Sequence, residues 1–420
     1  MAKKETTDPS NLLPVTAVIN VDPNQTKPFQ TILGLTLIER SIHALDRSRV
    51  AAIYLLTTPE SRATLEQLIA KNKKWQANIM VLDMDQSNGI AQMGNALNGN
   101  ALLIMREPLV VHQNYIQELI AAGQEKNSVA NADESLAYLQ NPSISLKTTS
   151  LESLMVNQPK WETFEPSSDS LYCEKIQNKS DLKSIKKTLM QSLIKPTDGW
   201  VSRNINRKIS TFFSRALANT PITPNQISVG TMLIGLVTGY YLAKGGYFYF
   251  LVGATMFQAT SVLDGVDGEL ARLRFQQSDF GQWLDTIADN LTYVAALVGI
   301  IIGVYTNDSP QYIIWAGYIG LGMVFLTLAS QYLYLLRFDS GGSLLNIPYN
   351  FKKGETTFDK IMQYAEVFGR RDFFAFVFFI FGILGIMPFS LVYVSLMVTI
   401  VFGFSLQAHF TAAKKKRAMS

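Results

Sequence analysis

Cysteine is almost missing from this 420-residue chain: Cys173 stands alone, which excludes an internal disulfide and any cysteine-built zinc site. Histidine is nearly as scarce. His43, His112 and His409 are scattered, so a histidine metal centre or a histidine-based triad has little to draw on. Charge is sparse too. Charged residues make up 17% of the chain and the net charge is +4, too small a surplus to argue for a nucleic-acid partner. Lys3 and Lys4 precede only a short apolar run that contains Pro14, so no secretory leader is expected. What the chain has instead is apolar residues, 48% of the total. The mean hydropathy of +0.12 leans toward a membrane protein. The apolar residues are unevenly spread: up to about residue 190 the chain reads as a soluble domain, and beyond about 225 as a membrane domain.

Carboxylates inside such apolar segments are costly and mark candidate functional sites. Asp264, Asp267, Gly268 and Ala271 follow i, i+3, i+4, i+7, which is one helix face. Gly281, Asp285 and Asp289 follow i, i+4, i+8, again one face. Two neighbouring antiparallel helices would aim four carboxylates at one point, with small residues leaving room beside them. An all-oxygen set of that kind suits a hard divalent cation. A single aspartate at a helix end is ordinarily just solvated; four on two facing stripes are not so easily dismissed. An EF-hand does not fit, because the aspartates are three apart and the twelfth position is Phe275.

The run from Asp264 to Arg272, eight residues, then Gly281, Asp285 and Asp289 resembles the signature of the CDP-alcohol phosphotransferases, D-x-x-D-G-x-x-A-R followed by G-x-x-x-D-x-x-x-D. The resemblance covers about the last half of the chain, from near Lys195. It implies two divalent ions, Mg²⁺ or Mn²⁺, held by Asp264, Asp267, Asp285 and Asp289. Asp289 would also serve as the general base. Gly268, Ala271 and Gly281 would leave space for the cytidine and phosphates, with Arg272 beside them in a structural or electrostatic role. Asn225, in a Thr-Pro-Asn-Gln-Ile-Ser run that resembles the family's entry to its first span, is expected to cap that helix and to border the CDP site. The resemblance further implies a homodimer, a CDP-linked donor, a small alcohol acceptor and release of CMP.

The first half reads differently. Strands are expected at 15–21, 50–57, 79–82 and 101–105, and helices at 35–45, 59–72 and 111–122. Strands alternating with helices argue for an open, mostly parallel α/β sheet. Residues 124–190 are more polar and give no clear pattern. Thr26-Lys27-Pro28-Phe29 and Gly34-Leu35-Thr36-Leu37-Ile38 resemble the sugar-phosphate nucleotidyltransferases, over about the first 125 residues. The departures are specific. The loop after the first strand has no glycine to wrap a triphosphate, and Arg106-Glu107-Pro108 stands where that family places a metal-binding aspartate. The reading is a degenerate nucleotidyltransferase-like domain, retained to bind, dimerise or scaffold.

Three parts follow: residues 1–190, a joint over 191–222, and a membrane domain over 223–420. In the joint, Val201, Ile205, Ile209, Phe212, Phe213 and Ala216 repeat at helical spacing while Arg203, Arg207, Lys208 and Arg215 fall mostly elsewhere. That is a basic amphipathic helix, suited to an anionic membrane surface or to packing between domains. Six apolar segments come next, near 226–243, 247–269, 282–305, 311–336, 372–387 and 389–411, each about long enough to span. The expected fold is an all-α six-helix transmembrane domain with a juxtamembrane helix. Lys and Arg crowd one set of connections, and the other set holds only Lys244. By the positive-inside rule both termini and the carboxylates face the cytoplasm. Arg337, Arg370 and Arg371 fall on that side; they would hold an anionic acceptor, or merely reflect the charge bias.

The leading reading is a phospholipid synthase that uses CDP-diacylglycerol, since a lipid donor explains a site at the membrane edge. A transferase with a soluble CDP-polyol donor is the alternative. A cation transporter or a non-catalytic scaffold is the rival from another class. Transport would ask for acidic residues deep in several spans rather than at one level in two.

Overall fold

The computed structural model describes residues 14–22, 27–72, 75–83, 101–140, 161–195, 198–307, 309–338 and 367–419, with the side chains of 338 and 413–419 left aside. The chain divides into two compact units, Met1–Ser192 and Leu193–Ser420.

The amino-terminal unit is built on a seven-stranded sheet. Its strands are β1 Val15–Val21, β2 Ala52–Thr57, β3 Asn78–Asp83, β4 Ala101–Met105, β5 Ser128–Ala130, β6 Leu136–Leu139 and β7 Glu162–Thr163, in the order β7-β5-β6-β4-β1-β2-β3. β1 pairs in parallel with β2 and β4, with Val18 opposite both Tyr54 and Ile104, and β2 pairs in parallel with β3. Only β6 runs antiparallel to its neighbours β4 and β5. The central strands β1, β2 and β4 are largely apolar and buried because helices cover them. Among these helices are α1 Leu37–Arg47, α2 Pro59–Lys71 and α3 Gln113–Lys126. α1 starts at a capping box in which Thr36 and Glu39 satisfy each other's backbone N–H. The polar stretch beyond residue 124 supplies β5, β6, β7 and a further helix, α4 Lys179–Gln191.

The carboxy-terminal unit is helical. α5 Arg207–Leu217 follows a π-turn over Ser202–Asn206. Six helices then occupy the six apolar segments: α6 Pro224–Ala243, α7 Gly246–Leu273, α8 Asp279–Tyr305, α9 Gln311–Phe338, α10 Arg371–Leu384 and α11 Phe389–Met419. Among the described residues four stretches are both long and apolar enough to cross a membrane: Pro224–Ala243, Asp279–Tyr305, Gln311–Arg337 and Phe389–Ala412. α7 has the length, but its last turns carry Asp264, Asp267, Glu269 and Arg272. α10 has only 14 residues, about 21 Å at 1.5 Å per residue.

α6 and α8 approach backbone to backbone. A Cβ on Gly239 would lie 2.6 Å from the Ala295 carbonyl oxygen, and one on Gly299 would run into the carbonyl of Gly239. Gly235 and Gly239 on one helix, and Gly299 and Gly303 on the other, form the small-xxx-small pattern that lets apolar helices pack this closely. Thr223 caps α6 with Gln226 as its partner (2.9 and 3.3 Å). The expectation that Asn225 is the cap is therefore wrong. Pro224 needs no acceptor for a missing N–H and fits the first helical position, which moves the cap back one residue.

Candidate active site

The last turns of α7 and the first turns of α8 carry the acidic residues. Ser278 caps α8 by accepting from the Gly281 N–H (3.0 Å). The turn joining the two helices is clamped by Arg274. Its guanidinium donates to the carbonyls of Leu217 (2.5 Å), Ala218 (3.0 Å), Thr220 (2.7 Å) and Ile222 (2.6 Å). In sequence Arg274 is only one more basic residue in a connection. Here it ties the α5–α6 link to the turn that sets the site.

Asp264, Asp285 and Asp289 each bring a carboxylate oxygen to within 4.8 Å of the others, a group that could hold a metal ion. Asp267 does not join them. It is buried, accepts a short hydrogen bond from the Ser228 hydroxyl, and also accepts from the Gly268 N–H at 2.5 Å. A cation already pairs with two of the three. Arg371, first residue of α10, places Nη1 2.7 Å from Asp264 Oδ1 and pairs with Asp289, while its guanidinium lies 5.5 Å from the centre of the Tyr293 ring. Arg371 Nη2 is buried without a hydrogen-bond partner. The donor set thus fits a positive charge at this point and offers oxygen ligands only, which is what a hard divalent ion requires.

A cavity of about 510 Å³ opens beside these residues. Its lining includes Asp264, Asp285, Asp289, Arg370 and Arg371 together with the apolar Leu297, Val324, Met397, Val398, Val401 and Phe404. Arg337, Asn225, Asp267, Gly268, Ala271, Arg272 and Gly281 are not among the described residues lining it. Two pairs among them lie close: a Cβ on Gly281 would be 3.3 Å from Asn225 Oδ1, and one on Gly268 would be 3.3 Å from Arg272 Nη1.

A buried ionic network that sequence reasoning did not find braces α7. Glu269 is fully buried and accepts from Arg207 Nη1 (2.6 Å), Ser210 Oγ (2.6 Å) and Ser214 Oγ (2.5 Å). Arg207 also grips Asp198 with Nε and Nη2 (2.9 and 3.1 Å). Asp372, next to Arg371, accepts from the Ser202 N–H at 2.8 Å. α5 therefore turns its serines toward α7, while Ile209, Phe212 and Phe213 remain exposed.

With this geometry in place, comparison with known proteins identifies the class. Residues 221–405 match the CDP-alcohol phosphatidyltransferase family. The carboxy-terminal unit belongs to that family, and it is a transferase domain. Among relatives, a bifunctional IPC transferase and DIPP synthase of Aquifex aeolicus is 31% identical over 49% of this chain and 43% of its own length. A protein of the same description from Archaeoglobus fulgidus is 29% identical over 50% of this chain and 38% of its own length. This chain thus spans less than half the length of either relative. An archaetidylinositol phosphate synthase of Pyrococcus horikoshii is 31% identical over 28% of this chain and 55% of its own length. Among solved structures, a Mycobacterium tuberculosis phosphatidylinositol phosphate synthase in complex with manganese and citrate aligns over 48% of this chain and 89% of its own (17% identity, TM-score 0.35). A 4-diphosphocytidyl-2C-methyl-D-erythritol synthase of Anaerococcus prevotii aligns over 42% of this chain and 98% of its own (12% identity, TM-score 0.31).

Proposed function

We propose that this protein is an integral membrane phosphotransferase that moves a phosphatidyl group from CDP-diacylglycerol to an acceptor alcohol and releases CMP. The observation that carries the reading is the meeting of Asp264, Asp285 and Asp289 within 4.8 Å at a cavity that is also lined by apolar side chains. A site for a water-soluble CDP-polyol has no use for Val398, Val401 and Phe404; an acyl chain has.

The three aspartates, with Asp267 behind them on its Ser228 hydrogen bond, would hold Mg²⁺ or Mn²⁺. Bound there, the ions offset the charge of the donor diphosphate and polarise the phosphoryl group under attack. The acceptor oxygen bonds to the phosphorus that carries the lipid, the bond from that phosphorus to the bridging oxygen breaks, and CMP leaves with the electron pair. Asp289 takes the acceptor proton, which requires its pair with Arg371 to open. An anionic acceptor, such as a polyol phosphate, would give the guanidinium another partner, and the unpartnered Nη2 and neighbouring Arg370 favour such an acceptor. For Arg337 no such support exists.

In the bilayer, α6 to α11 make six spans, with the shorter α10 completing the bundle. Tyr247, Phe248, Tyr305, Tyr312 and Trp315 are exposed at the helix ends remote from the carboxylates, as interfacial aromatics are. The outward Ile209, Phe212 and Phe213 suit α5 to the opposite surface, where the basic connections place the cytoplasm. The amino-terminal unit is a nucleotidyltransferase-like domain without transfer activity, and the assembly is a homodimer.

The test uses purified protein in detergent with Mg²⁺ or Mn²⁺, supplied with either CDP-diacylglycerol or a soluble CDP-polyol. Glycerol 3-phosphate, inositol, inositol phosphate and serine serve as acceptors, and the products are weighed by mass spectrometry. A new phospholipid formed from a phosphorylated acceptor supports the reading. Product only from the soluble donor replaces it with the CDP-polyol alternative.

A further inference from the structure

The segment ahead of the family-matched region comes close to the signature helix. The Leu193 carbonyl oxygen lies 3.5 Å from Arg272 Nη2. Two residues on, the Lys195 N–H donates to Asp198 Oδ2 (2.9 Å), and the Asp198 N–H returns a bond to the Lys195 carbonyl (3.0 Å). Asp198 is itself held by Arg207, and Arg207 by Glu269, two residues beyond Asp267 on the signature helix. The segment is thus fixed by charge to the helix that carries the site.

This fixing leaves two cations incompletely used. Arg272 Nε is buried with no hydrogen-bond partner. Lys195 makes no ion pair among the described residues, and its side chain reaches solvent. Partial desolvation lowers the Lys195 pKa, and Arg272 and Arg207 push it the same way against Asp198 and Asp285. Lys195 stands two residues beyond the Leu193 carbonyl that meets Arg272, so its ammonium and the unpartnered Arg272 Nε are placed to serve one anion. We propose that Lys195 joins Arg272 as a phosphate-binding pair beside the carboxylate cluster. The inference rests on the reading of that cluster as a CDP-donor site. The phosphate would come from the donor's diphosphate or from a phosphorylated acceptor.

Calorimetric titration of the purified full chain in detergent with Mn²⁺ distinguishes the sources, using Lys195→Gln and Lys195→Arg. The probes are CDP, with cytidine by competition, and glycerol 3-phosphate against glycerol as acceptors in turnover. A donor phosphate site predicts that Lys195→Gln weakens CDP about tenfold, leaves cytidine unchanged, and is largely rescued by Lys195→Arg. An acceptor phosphate site predicts unchanged CDP binding and about a tenfold rise in KM for glycerol 3-phosphate alone. Equal losses for CDP and cytidine, or no change anywhere, overturn the inference while the proposed function stands. A wild-type chain that binds no CDP overturns both.

Discussion

Glu269 shows what one residue can hold. It is a fully buried carboxylate whose partners are one guanidinium and two hydroxyls. Removing one side of such a buried set strands the other charge, so Glu269→Ala should cost about 3–5 kcal/mol, read as a lowered unfolding temperature in detergent. Nothing in the sequence announces this, because Glu269 sits at an unconstrained position of the signature and its partners lie 55 to 62 residues away. The aspartates were legible for the opposite reason. Spacings of three and four fix a helix face whatever the rest of the chain does, and Asp264, Asp285 and Asp289 do meet. That Asp267 stands apart depends on Ser228, which no local pattern ties to it. His43 offers a second residue-scale prediction. Burial first, then Arg47 and Arg40, push its imidazole down to about 4. An unfolded imidazole protonates near 6.5, so between those values the unfolded chain binds more protons and stability falls as pH is lowered. His43→Gln should therefore lose less stability than wild type between pH 6.5 and 4, by something on the order of 3 kcal/mol, measured by unfolding at stepped pH.

At the scale of elements, the strands and helices up to residue 122 were readable because apolar runs alternate with amphipathic ones, and the six apolar segments because each is long. The polar stretch after residue 124 was not, since β5 and β7 are three and two residues long and take their places from neighbours rather than from propensity. α5 was half legible. Its period is visible, but which face packs inward is not: the usual rule buries the apolar face, whereas here Ser210 and Ser214 are buried and Phe212 is exposed. The close approach of α6 and α8 also makes a prediction. A Cβ on Gly299 has nowhere to go but the Gly239 backbone, so Gly299→Val should separate α6 from α8. The expected result is loss of the monodisperse peak in size-exclusion chromatography, with Gly322→Val, whose Cβ meets nothing within 4 Å, as the tolerated control.

For the whole molecule, two units of different character share one chain, and the carboxylate cluster lies in the second. Its family, its carboxylate cluster and its apolar cavity point to one activity at a membrane. The most direct test is CMP release from CDP-diacylglycerol in the presence of Mn²⁺ and a phosphorylated acceptor, by wild type and Asp289→Asn side by side, each with and without a chelator. The account predicts acceptor-dependent CMP that falls about 10²- to 10⁴-fold in the variant and stops with the chelator. CMP release that is equal in wild type and Asp289→Asn, or none from wild type, would contradict it.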